Sequence, residues 1–390
     1  MTNKMKNVPE LRFPEFIEEW EEKRLGEVTI YKNGGSFENS VKNHGIFKLI
    51  TLKSVNTEGE LINSGKYIDD KSTETLCKGT LVMILSEQAP GLVGMTANIT
   101  RNNKYVLNQR VAALVPKQGI DSQFLSKLIN RNQKYFSVRS AGTKVKNISK
   151  GHVENFNFLS PNYTEQQKIG SFFSKLDRQI ELEEQKLAKL EEQKKGYMQK
   201  LFSQKLRFKD ENGNDYPEWE EKTIKDVYKV TRGYVLARKL MSDNPNSINK
   251  YPVYSSQTSN NGLMGYYSDY LYQDAITWTT DGANAGSVSF RQGKFYCTNV
   301  CGVLLNELGN SNVCMAEMLN NIAFKYVSKV GNPKLMNNVM AMIKLKFPCL
   351  EEQQAISKFL NVFSEVIDNQ NKKVELLKER KEGLLQKMFV

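Results

Sequence analysis

The sequence predicts an α+β fold: two similar globular blocks separated by two long helices that form an antiparallel coiled coil. Three observations predict it. A helix rich in Glu, Gln, Lys and Leu, "EEQKLAKLEEQKKGYMQKLF" (183–202), returns in outline as "QNKKVELLKERKEGLLQKMF" (370–389). A second match opens each half, "EEWEEKRLGEV" (18–28) against "PEWEEKTIKDV" (217–227). Between these landmarks, short apolar runs alternate with Gly, Asn and Ser turns, the punctuation of strands. One plan used twice accounts for all three.

The first block is expected over residues 1–160. Its strand runs include "GIFKLITLKSV", "GTLVMIL" and "RVAALVP", and a helix is expected over 122–136. A central helix follows over 161–205. The second block, 206–348, carries "DAITWTT" and "CGVLLNEL" with a helix over 313–329. A C-terminal helix closes the chain over 349–390. With helices added to mostly antiparallel strands, each block belongs to the α+β class. The 390 residues suffice for two cores of ordinary size.

Both long helices repeat apolar residues at alternating spacings of three and four, which marks a coiled-coil seam. In the central helix the seam is Ile169, Phe173, Leu176, Ile180, Leu187, Leu190, Tyr197 and Leu201. In the C-terminal helix it is Ile356, Leu360, Phe363, Ile367, Val374, Leu377, Leu384 and Met388. At 1.5 Å per residue each helix is about 55 Å long. Polar seam positions suggest a register, because a charge facing Val or Leu would be desolvated without a partner. Leu187 is expected against Leu377, Leu190 against Val374, Glu183 against Lys381, Lys194 against Gln370 and Ile180 against Leu384.

Formal net charge is +12, which points to a polyanionic partner, nucleic acid before membrane. Between 101 and 150 eleven basic residues stand against a single acid, Asp121, so a phosphate-binding face is expected there. Turns nearby carry Asn, Gln, Ser and Arg, the side chains whose geometry suits base edges. The residues expected to bind DNA in the first block are Lys32, Lys53, Gln88, Arg101, Lys104, Arg110, Lys144, Lys146 and Asn147. In the second they are Arg232, Arg238, Lys239, Ser255, Gln257, Thr258, Asn260, Asn261, Asn284, Arg291 and Lys334.

The catalytic inventory is thin. His44 and His152 are the two histidines, both in the first block, so a repeated acid–base site is not expected. "SPNY" (160–163) resembles the [NDS]PP[YFW] box of amino-methyltransferases, but Asn162 replaces the second proline and no FxGxG-like loop accompanies it. "DENGND" (210–215) lacks the terminal glutamate of a calcium loop, and "DGANAGS" (281–287) lacks the GK[ST] of a phosphate loop. The five cysteines, Cys77, Cys297, Cys301, Cys314 and Cys349, form no CxxC pair. Cys297 and Cys301 read as one strand, about 13 Å apart, too far to share a zinc ion. No metal, nucleophile or cofactor site is expected. The opening "MTNKMKNVPELRFPEF" is broken by prolines and charges, so neither a signal peptide nor a membrane span is expected and a cytoplasmic location is.

"LRFPEF...EEWEEKRLGEV", "YPVYSSQTSNNGLMGYY", "TTDGANAGSV" and the paired "EQQ" helices ending in "QKLF" and "QKMF" resemble the DNA-specificity subunits of type I restriction-modification systems over essentially the whole chain. The resemblance implies two target recognition domains, each reading one half of a bipartite, asymmetric DNA site, with the helix pair fixing the unread gap. It implies a non-catalytic subunit partnered by double-stranded DNA, two modification (methyltransferase) subunits and two restriction (ATP-dependent translocase/nuclease) subunits. S-adenosylmethionine, ATP and Mg would then sit on those partners. "YPVYSSQTSNNG" has no clean counterpart before residue 100, so the two reading surfaces are expected to differ. The alternatives are a self-sufficient DNA methyltransferase or nuclease, and a coiled-coil protein that bundles DNA without reading sequence.

Overall fold

The computed structural model describes residues 7–37, 39–87, 91–143, 145–256 and 259–390. It divides into two compact units, Met1–Glu184 with Lys372–Val390, and Gln185–Asn371. The divisions fall inside the two long helices, Tyr163–Phe202 and Leu350–Met388, so each unit holds a stretch of both. Each helix begins just after a proline, Pro161 or Pro348, whose missing N–H and fixed φ suit a helix entrance.

In the first unit a four-stranded antiparallel sheet runs Thr29–Asn33, Val111–Pro116, Leu81–Ile84, Thr96–Asn98. The inner strand Leu81–Ile84 is buried at every residue, as expected for a run apolar on both faces. A three-stranded sheet runs Tyr67–Ile68, Phe47–Ile50, Tyr105–Leu107, the last pair parallel. Helix Ser122–Arg131 covers the four-stranded sheet, capped by the Asp121 side chain, which accepts from Phe124 N at 2.8 Å. Asn132 ends this helix and a second, Gln133–Arg139, follows. Trp20, Leu25, Phe124, Leu125, Phe136 and Phe173 fill the core between.

The second unit repeats this order in one six-stranded sheet: Lys229–Arg232, Cys301–Leu305, Tyr272–Thr279, Val288–Cys297, Tyr251–Tyr254, Leu263–Tyr267. The long strand Val288–Cys297 does the work of both Thr96–Asn98 and Tyr105–Leu107, which a turn over 100–104 separates in the first unit. Tyr251–Tyr254 pairs parallel with its end as Phe47–Ile50 does with Tyr105–Leu107. "YPVY" therefore has a counterpart before residue 100 after all, in the strand at 47–50. Only its residue types have diverged. Helix Val313–Ala323 covers the sheet, capped by Asn312, which accepts from Met315 N at 3.0 Å.

Within each unit the long helices run antiparallel. In the first, Asp177 pairs with Lys381 at 2.8 Å and Glu183 with Lys373 at 2.5 Å. In the second, Lys194 Nζ donates to Ser364 Oγ at 2.9 Å, and Tyr197 packs against Phe359 and Phe363. This is not the expected register. Glu183 pairs with Lys373, Lys381 with Asp177, and Lys194 bonds Ser364. The expectation failed because it matched seam residues only with seam residues, whereas long side chains reach partners off the seam: Lys373 sits beside buried Val374, and Lys381 meets Asp177. The seam residues themselves turn inward, buried or half-buried, except Tyr197 at 39 % exposure. The first layers of each helix serve a unit's own core, Ile169 and Phe173 beside Trp20, Ile356 and Leu360 beside Ile224.

Cys297 and Cys301 also depart from expectation. They lie on two strands joined by a turn over 298–300, both buried, and burial pushes the Cys301 thiol up to about 11. They pack with Ala275, Phe295 and Val303 as small apolar residues.

Candidate nucleic-acid interface

The same buried lock orients the frame in both units. Glu165, at the start of the central helix and fully buried, accepts from Arg12 Nε and Nη2 at 2.7 Å each. Glu352, at the start of the C-terminal helix and equally buried, accepts from Arg207 Nε at 3.1 Å, Arg207 Nη2 at 2.8 Å and Trp219 Nε1 at 2.8 Å. The bidentate bonds hold both guanidinium pKa values above their ordinary level. The next residue anchors the turn that precedes each helix: Gln166 Nε2 donates to Pro161 O and Gln353 Nε2 to Pro348 O, each at 2.9 Å. The "EQQ" that opens each helix is thus an internal clamp, with its carboxylate and first amide out of reach of any ligand. Its arginine partners sit in a repeated "LRF", at 11–13 and 206–208. Phe13 and Phe208 stack edge-on or tilted against Phe172 and Phe359, at 6.0 and 5.8 Å.

At one edge of each unit, matching backbone bonds bring four segments together. Gly35 N donates to Leu107 O at 2.9 Å, as Tyr234 N does to Cys297 O at 3.1 Å. Leu85 N donates to Arg110 O at 3.2 Å, as Thr280 N does to Val300 O at 3.0 Å. Ile148 N donates to Leu85 O at 3.0 Å, as Leu335 N does to Thr280 O at 2.8 Å. The bridge Ala141–Asn147 has its like in Ser328–Lys334. Glycine is required where the first of these loops leaves its strand. A Cβ at Gly34 would lie 2.0 Å from Asn108 O, and one at Gly233 2.1 Å from Cys297 O.

The side chains on this shared frame differ. In the first unit a cleft of about 360 Å³ is lined by Ser86, Gln109, Arg110 and Asn147, with Val145 and Ile148 behind. Ser86 hydroxyl donates to Asn147 Oδ1, which orients that amide, while Gln109 and Arg110 are exposed. In the second unit the equivalent places hold Asp281, Asn299, Val300 and Lys334, and Asp281 and Lys334 form an ion pair at 3.5 Å. The first cleft can offer a guanidinium and two amides to base edges; the second offers one amide, one ion pair and apolar surface.

The expected DNA contacts separate accordingly. Arg110, Lys146 and Asn147 lie on the edge of the first unit; Lys334 lies on the edge of the second, and Arg232 on the strand that leads to that edge. Lys53, Arg101 and Lys239 are exposed and Lys104 half-buried. Lys32 and Arg238 are exposed and paired with Glu74 and Asp243, weak surface pairs that a phosphate could replace. Ser255 accepts from Thr298 Oγ1 at 2.9 Å, and Asn284 Nδ2 donates to Ser256 O at 3.5 Å. Asn260 and Asn261 are exposed in left-handed backbone at φ 51°, which asparagine tolerates. Gln88, Lys144, Gln257 and Thr258 lie outside the described residues. Arg291 is a correction: it is 8 % exposed, donates to Thr277 Oγ1 at 3.1 Å, stacks over Tyr254 at 3.9 Å, and burial lowers its pKa.

The basic cluster over 101–150 is also less uniform than its charges suggest. Lys127 is mostly buried against Asp177 at 2.5 Å, and burial lowers its pKa. Lys117 donates to Glu27 O, and Arg131 to the Gln386 and Val390 carbonyls. Arg139 stacks on Tyr135 at 3.8 Å. Gln109, Asn299, Asp281, Tyr234 and Val235 were not among the residues expected to bind DNA, because their place on the edge depends on long-range pairing.

Among the described residues no group of three or more His, Cys, Asp or Glu side chains is placed to hold a metal ion. No described helix is long and apolar enough to cross a membrane. The "DENGND" turn closes on itself, Asp210 Oδ1 accepting from Asn212 N at 2.9 Å and Asn214 N at 2.7 Å.

The model of the type I restriction modification DNA specificity domain matches this chain twice, over residues 17–192 and 216–379. The chain belongs to that family. The two matches fall one in each half of the repeat. The specificity-domain chain is 40 % identical over 145 residues to the N-terminus of a putative type I specificity subunit of Mycoplasma pneumoniae, covering 36 % of this chain and 75 % of that one. It is 36 % identical over 151 residues to the specificity subunit of type I restriction enzyme MpnII of the same organism, covering 37 % of this chain and 44 % of that one. In fold it is similar to the crystal structure of a type I restriction-modification S subunit from M. genitalium, with TM-score 0.67 at 16 % identity, over 98 % of this chain and 99 % of that one.

Proposed function

We propose that this specificity-domain chain is the DNA-reading subunit of a type I restriction-modification complex, each unit reading one half of a bipartite, asymmetric site. The observation that carries this reading is the shared frame with divergent side chains. Two units keep the same clamp and the same edge of converging segments, and differ where exposed side chains would meet a ligand. Two readers of different sequences need that arrangement, whereas a protein that bundles DNA without reading it has no use for divergence.

The two helices would set the unread gap. Tyr163–Phe202 is a continuous helix of 40 residues, about 60 Å long, comparable to a separation of half-sites by one or two duplex turns. Exposed lysines and arginines of both units would take phosphates, and the amides and Arg110 would take base edges. Methylation and cleavage would be carried by partner subunits, two of modification and two of restriction type, which would hold S-adenosylmethionine, ATP and Mg.

Selection of bound duplexes from a randomised pool, followed by footprinting, tests this reading. Two short specified blocks separated by a fixed unspecified gap are expected. A single uninterrupted protected block, or no sequence preference, would overturn it. Isolated chain incubated with DNA and S-adenosylmethionine, or with Mg²⁺, should give neither methylated nor cleaved product.

A further inference from the structure

The loop after Gly233 is the place where the two units differ most in chemistry on one backbone. In both, the residue after the obligatory glycine donates its N–H to the end of a neighbouring strand, which fixes where the loop emerges. The first unit presents Gly35 and Ser36 there, both exposed. The second presents Tyr234 and Val235, 61 % and 78 % exposed. Neighbouring Val300, half-buried, stands where the first unit has Arg110. Exposed cations flank the loop on both sides, Arg232 before it and Arg238 and Lys239 after it.

An apolar pair held in water between cations suits a partner with phosphates at its margins and an apolar group between them. Duplex DNA meets that description at one place on its major-groove base edges, the C5-methyl group of thymine. A protein partner with an apolar face would lack the ordered flanking anions. We propose that Tyr234 and Val235 read thymine methyl groups in the half-site of the second unit, while the first unit reads its half by hydrogen bonds from Arg110, Gln109 and Asn147. This rests on the specificity reading above and adds the base chemistry of each half.

The test uses the full chain, in complex with its partner subunits if binding requires them, on the selected duplex. The half-site of the first unit is identified as the one whose preference relaxes with Arg110→Ala. Thymines are then replaced by deoxyuridine, which removes the methyl group and leaves base pairing intact, in one half at a time. Substitution in the second half should weaken binding about fourfold per contacted methyl group, and substitution in the first half should leave it unchanged. A Tyr234→Ser/Val235→Ser variant should bind thymine and deoxyuridine duplexes equally.

A second half-site without thymine, or equal binding of both duplexes by the unaltered protein, overturns the inference while leaving bipartite recognition intact. Intact base preference in the variant with reduced recovery of partner subunits also overturns it, and assigns the loop to a protein contact. Absence of any sequence preference is a different result and removes the specificity reading itself.

Discussion

The two units are built alike at the clamp and unlike at the edge. At the clamp, each buries a glutamate at a helix start and neutralises it with an arginine that lies far earlier in sequence, Arg12 with Glu165 and Arg207 with Glu352. At the edge, equivalent backbone atoms present Arg110 in one unit and Val300 in the other, Gly35 in one and Tyr234 in the other. The difference teaches where each kind of constraint acts. A buried charge tolerates little change, since removing one partner leaves the other desolvated. Exposed side chains on a hydrogen-bonded frame can change freely without disturbing the fold.

The largest effect that could break this comparison is at the clamp. Arg12→Met should destabilise the first unit by about 3–5 kcal/mol, because it removes the partner of a fully buried carboxylate. Arg207→Met should cost less, since Trp219 Nε1 still donates to Glu352. By contrast Trp20 Nε1, at the equivalent place, has no hydrogen-bond partner among the described residues. Urea unfolding followed by tryptophan fluorescence would compare the two, and equal losses would contradict the asymmetry.

Next comes the end of the C-terminal helix, where Phe389 packs among Trp20, Phe124 and Phe173 with ring centroids 5.3–6.4 Å away. Phe389→Ala should cost about 3 kcal/mol. Its counterpart Phe202 is half-buried beside the second core, so Phe202→Ala should cost less. Thermal denaturation of both variants would show whether the helix ends serve their cores unequally.

At the edge, Arg110→Ala should leave stability within about 0.5 kcal/mol of the unaltered chain and weaken DNA binding by about 1–3 kcal/mol, with relaxed preference in one half-site only. Titrations at several salt concentrations separate a lost base contact from a lost phosphate contact, since only the latter flattens the salt slope by about one unit. The smallest effect is expected for Lys373→Ala. Its pair with Glu183 is half exposed on the lysine side and should contribute under about 1 kcal/mol. A larger loss there would mean that this pair, more than the apolar seam, sets the helix register.

Much of the fold was legible in the sequence, and the reason is periodicity. The repeats of three and four residues over the long helices, the apolar runs of the strands, and the matched openings at 18–28 and 217–227 are local patterns that survive divergence. The candidate edge was legible only in part. Equivalent residues there are separated by 199 positions at Gly34 and Gly233, 190 at Arg110 and Val300, and 187 at Asn147 and Lys334. No single shift of the sequence aligns them, because turns of different length intervene. Charge alone misled at Arg291, Lys127 and Arg131, whose side chains are occupied inside the protein.

The sequence by itself determined that one plan is used twice, that each copy ends in a long amphipathic helix, and that the whole is strongly basic. These follow from composition and spacing, which act through the backbone a few residues at a time. Tertiary structure alone decided the helix register, the partners of the buried glutamates and the set of side chains that share an edge. Those depend on contacts between residues distant in sequence, where a long side chain can reach past its nearest neighbour to a better one.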